Sequence, residues 1–87
     1  MTETLTVAAL RDLNLISEDE VNAAVAAFMA NPMAPPFVFR EGYRLHLAKA
    51  VRRHPGANDI VNNGRAGPQM RLPFVRAAIL EARPLRE

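Results

Sequence analysis

The chain has 87 residues and contains neither cysteine nor tryptophan. Without thiols there is no disulfide scaffold, no thiolate metal site and no cysteine nucleophile. Serine occurs once, at Ser17, and lysine once, at Lys49. A serine nucleophile with its own triad therefore has almost no inventory to draw on. No apolar run approaches the roughly 18 residues of a membrane-spanning helix. The stretch from Met1 to Thr6 lacks the basic start and apolar core of a secretory signal. These absences predict a soluble, cytoplasmic protein without membrane association, and no motif calls for a cofactor.

What is present suits one domain over residues 1–87. Hydrophobic residues make up 49% of the chain, which argues against wholesale disorder. A domain this small buries only roughly 60–65% of its unfolded surface, so core and deep cleft compete for the same apolar residues. The abundance of Ala and Arg matches a GC-rich bacterial or phage coding sequence. The formal net charge of +2 conceals a split. Residues 1–36 carry −4 and residues 37–87 carry +6. Such asymmetry points to a polyanionic or acidic partner for the basic half, or to mutual attraction of the two halves.

The clearest local signal runs from Ile16 to Val21. Ser17 and Glu20 form a capping box, Ile16 and Val21 stand where a hydrophobic staple belongs, and three acids suit a helix N-terminus. Val21, Val25, Phe28 and Met29 continue the helical period to about Ala30, where Asn31 and Pro32 end it. Val7, Leu10 and Leu13, capped by Thr4 or Thr6, predict a short helix over about 5–13. A tight turn at 14–16 joins the two into an αα-hairpin. Residues 31–36 form a stiff connector. Phe37, Val38 and Phe39 then read as the docked start of the next helix rather than a strand, for want of a partner strand. A third helix is predicted over about 40–53, stopped by Pro55 and Gly56. A single turn at 58–61, capped by Asn58 or Asp59, precedes a Gly/Pro-rich loop. A last helix starts near Leu72 and Pro73 and runs to about Arg83. The expected fold is all-α: a small bundle of four main helices plus one short helical turn.

Two motifs invite comparison. Thr6, Leu10, Ile16, Ser17 and Val21 resemble the spacing of a DNA-binding helix-turn-helix over residues 1–30. That likeness implies base contacts from the start of the second helix. The sequence departs from it at Leu15, where the turn usually holds Gly, and at Arg11, where a small residue lets the helices close. Glu18, Asp19 and Glu20 oppose the phosphate electrostatics such a helix needs, so a capped hairpin is the preferred reading. Gly64, Arg65, Ala66 and Gly67 match the Gly-x-x-Gly pattern with which KH domains clamp a nucleic-acid backbone. That fold needs a three-stranded sheet, and no strands are predicted. A turn freed by glycine is the simpler expectation.

Metal ligation is disfavoured: His46 and His54 would point about 80° apart on a helix, whereas zinc sites favour i, i+4 pairs. His54 reads instead as a helix C-cap. The carboxylates are explained by capping or solvation, so no enzyme is expected. Opposite the Tyr43, Leu47 and Val51 stripe lie Arg44, Lys49, Arg52 and Arg53, with Leu45 projecting among them as an apolar anchor and Arg65 nearby. These six residues are the predicted contact surface of a non-catalytic interaction module: a small regulator, inhibitor or accessory subunit. Its partner would be a larger protein or complex with an acidic surface. The alternative is a nucleic-acid-binding regulator using the same face or the degenerate hairpin. Phe74, Val75, Ile79 and Leu80 point several ways round the last helix, which is therefore central or the seam of a homodimer.

Overall fold

The capping box expected at Ser17 is present in the computed structural model, which describes residues 5–31, 33, 35–39 and 42–86. The Glu20 amide donates to the Ser17 hydroxyl at 3.1 Å, and the Ser17 amide donates back to the Glu20 carboxylate at 3.1 Å. From this cap α2 runs over Glu18–Ala30 and buries Val21, Ala24, Val25 and Phe28. Its predecessor α1, Val7–Asp12, is capped by Thr6, whose hydroxyl accepts from the Ala9 amide. Between them Asn14 adopts φ 62°, a left-handed conformation that asparagine tolerates better than most residues. The amides of Leu15 and Ile16 both donate to the Leu10 carbonyl, closing the tight turn of the expected N-terminal hairpin.

Among the described residues five helices build an all-helical domain. They are α1, α2, α3 (Leu47–Arg53), α4 (Pro55–Asn62) and α5 (Pro68–Glu81). Helix α5 is the hub: α1, α2, α3 and α4 all pack on it. It buries Val75, Ala78 and Ile79, so of the two expectations for this apolar helix the central one holds. What it leaves for self-association is Met70, Leu72 and Phe74, all exposed. Among the described residues the buried core is wholly apolar. No helix of the described residues is long and apolar enough to cross a membrane.

Three local expectations are corrected. Phe37 and Val38 do not begin a helix. They form β1, Phe37–Val38, antiparallel to β2, Tyr43–Leu45, which in turn pairs with β3, Leu85–Arg86. The missing partner strand lies within the stretch read as helix, and the second is at the far end of the chain. Gly42 at φ 79° makes the reversal, a conformation that costs glycine little. The Phe39 amide donates to the Tyr43 carbonyl at 2.7 Å. The third helix consequently starts at Leu47. Pro32, Ala34, Arg40 and Glu41, which figured in the expected connector and helix start, lie outside the described residues.

The second correction concerns Pro55, which opens a helix rather than only stopping one. With no N–H to satisfy and φ already set, proline suits the first helical position. Helix α4 follows directly, with His54 as its N-cap in place of Asn58 or Asp59. Third, α5 begins at Pro68, so Pro73 lies inside the helix. Neither Gly64 nor Gly67 has positive φ, so the turn between α4 and α5 does not require glycine for its backbone.

One polar cluster ties the hairpin to the hub. Arg76 on α5 donates to Glu18 and, at 2.9 Å, to Asn22, while Arg11 on α1 reaches the same Glu18 at 3.2 Å. The Arg76 hydrogen bond, aided by the charges of Arg76 and Arg11 and opposed by partial desolvation, holds the Glu18 carboxyl below its ordinary 4.5. A carboxylate with a lowered folded-state pKa adds stability above its unfolded value and loses it as pH falls through the folded one. Glu18→Gln should therefore flatten the acid limb of a plot of melting temperature against pH below about 4.5. It should leave the shape near neutrality unchanged. Superimposable acid limbs for wild type and variant would dismiss the role of this carboxylate.

Candidate functional site

The predicted surface divides once the true elements are known. In β2 the side chains alternate: Tyr43 and Leu45 turn inward and Arg44 outward. Leu45 is only 7% exposed and belongs to the core. It is therefore not an exposed anchor on the basic face, a correction that follows from period-2 rather than helical geometry. The cations fare differently. Lys49, Arg52 and Arg53 are exposed on α3, opposite its buried Leu47, Ala50 and Val51. Arg65 sits in the turn beyond the far end of α4, away from the other five.

Arg44, Lys49 and Arg53 border a groove of about 580 Å³ between β2 and α3 on one side and the end of α5 and β3 on the other. The opposite bank adds Arg83, a fourth cation that no local pattern linked to the third helix. Leu45 contributes from beneath, and Ala50, Ala78 and Ala82 form the floor. Among the described residues, the side chains of Lys49, Arg53 and Arg83 are engaged in no hydrogen bond or ion pair. Arg52 faces away and shares only a shallow depression with Lys49 and Arg53.

Among the described residues Glu81 is the carboxylate that borders the groove, and a histidine holds it in place. Nε2 of His54 lies 2.7 Å from Glu81 Oε2, while Nδ1 of the same ring accepts from the Ala57 amide at 3.0 Å. Because Nδ1 is an acceptor, the neutral ring carries its proton on Nε2 and donates it to Glu81. Both ring nitrogens are thus occupied, which leaves His54 no lone pair with which to take a substrate proton. The sequence marked His54 as a C-cap of α3, and its backbone amide does donate to Val51. Its side chain serves α4 instead, where it is the N-cap. His46 stands at the start of α3 with no side-chain capping bond.

Among the described residues no group of three or more His, Asp or Glu side chains is placed to hold a metal ion. The acids of the would-be recognition helix are similarly committed: Glu18 bridges Arg11 and Arg76, and Glu20 closes the capping box. Among the described residues the fold and its groove define a small five-helix domain with a cationic recess. No family model, curated protein or solved structure matches the chain.

Proposed function

We propose that the chain is a non-catalytic interaction module, a small regulator, inhibitor or accessory subunit that engages an acidic surface on a larger protein. The observation that carries this reading is the convergence of cations from distant parts of the sequence. Arg44 comes from β2, Lys49 and Arg53 from α3, and Arg83 from the segment after α5. Like charges repel, and the side chains of Lys49, Arg53 and Arg83, which make no hydrogen bond or ion pair among the described residues, gather around one recess at a cost that a partner of opposite charge would offset. The engaged ring of His54 supports a binding role for the groove. Basic residues would steer the approach of an acidic partner and set its salt dependence.

The test is fluorescence anisotropy with labelled polyglutamate, random duplex DNA and single-stranded RNA, each at low and moderate salt. Polyglutamate should bind at low salt, weaken with salt and resist competition from either nucleic acid. The double variant Arg52→Glu/Arg53→Glu should weaken it at least about tenfold. Unchanged binding by that variant would dismiss the face. Tighter binding of DNA or RNA, with affinity falling in proportion to the phosphates neutralised, would make nucleic acid the partner instead.

A further inference from the structure

The cationic face needs only a convex surface to attract an acidic partner, yet the structure provides a recess. Its origin is in the side chains. Two packed helices are normally kept apart by interdigitating residues of some bulk. In the interior that role falls to Leu47 and Val51 on α3 and to Val75 and Ile79 on α5, all buried. Nearer the surface the groove is floored instead by Ala50, Ala78 and Ala82. Three alanines leave space that no side chain of the described residues fills, and about 580 Å³ lies within the range of pockets that accept organic ligands. The floor is apolar while the rim is cationic.

We infer that this groove receives a short acidic segment of a partner protein that carries an aliphatic side chain. The aliphatic group seats on Ala50, Ala78 and Ala82, and flanking carboxylates meet Lys49, Arg53 and Arg83. The inference rests on the acidic-partner reading and deepens it by naming what is recognised. Charge complementarity selects acidic residues, and the alanine floor selects a leucine-sized group between them. A row of phosphates would satisfy the rim but leave the floor empty. Leu85, exposed at the mouth, extends the apolar surface on the side of β3. Specificity among acidic segments would come from the seated aliphatic group, while the surrounding cations steer the segment to the groove.

Two fluorescein-labelled peptides test this, one of repeated Glu-Glu-Leu triplets and one of repeated Glu-Glu-Ser triplets. They carry the same charge and differ only in the aliphatic group. The full chain should bind the leucine peptide at least about tenfold more tightly, as expected for burial of a leucine side chain. Ala82→Leu fills the groove from the half-buried end of α5 without altering any charge. It should abolish the preference for the leucine peptide. Equal binding of the two peptides by the wild-type chain would overturn the groove as receptor, a result that does not depend on any variant folding. A preference that survives in folded Ala82→Leu would overturn it as well. If both peptides bind alike and Arg52→Glu/Arg53→Glu weakens both, the groove fails while the acidic-partner reading stands. If neither binds at low salt, both fail.

Discussion

Ile79→Ala should lower the unfolding free energy by about 2–5 kcal/mol, the usual cost of emptying a fully buried aliphatic site. Ile79 is 0% exposed on α5, the helix against which every other helix packs. A cavity there withdraws contacts from several elements at once, and a small domain has little surrounding mass to collapse into it. For a chain of this length total stability is about 4–13 kcal/mol, so the variant would sit near its unfolding threshold. The expected drop in melting temperature is about 10–30 °C, followed by circular dichroism at 222 nm. A drop of less than about 5 °C would mean that α5 is not the hub.

Phe39→Ala should cost about 3–5 kcal/mol, and its effect should be uneven. Phe39 is 2% exposed, and its ring meets Phe37 edge-on at a centroid distance of 4.9 Å. Its amide also closes the hairpin through Tyr43. A strand pair this short has no stability of its own and depends on packing beneath it. Hydrogen exchange should therefore speed up first at the amides of Tyr43 to Leu45, with α2 protected longest. Uniform acceleration throughout the chain would indicate that the hairpin and the bundle open together. Because β2 forms one bank of the groove, the same variant should also weaken binding of the leucine peptide.

These two positions mark how far the sequence could be read. The α1–α2 hairpin was legible because its information is local: Ser17, Glu20 and the Val21-to-Met29 period all fall within one helix and its cap. The β1–β2 hairpin was not, because strands of two and three residues carry too few side chains for alternation to register. One consequence propagated. Reading residues 43–45 with helical period put Leu45 beside Arg44 on the surface, whereas the strand sends them to opposite faces. Pro55 was misread for a different reason, since the same residue ends one helix and begins the next, and only the His54 ring shows which. The exposed cations of α3 were legible from its apolar stripe. The groove was not, because Arg83 and the alanines of α5 approach α3 from some thirty residues away in sequence. Charge composition announced a basic half without saying that it encloses a recess.

The Val7 amide donates to the Ala82 carbonyl at 2.9 Å, so the first turn of α1 is fastened to the last turn of α5. The first and last helices are thus neighbours, so the order of the helices around α5 matters more than which of them comes first. The helices would keep the same neighbours if the chain were opened at the exposed turn at residues 63–65 and the flanks of α1 and α5 were joined by a flexible linker.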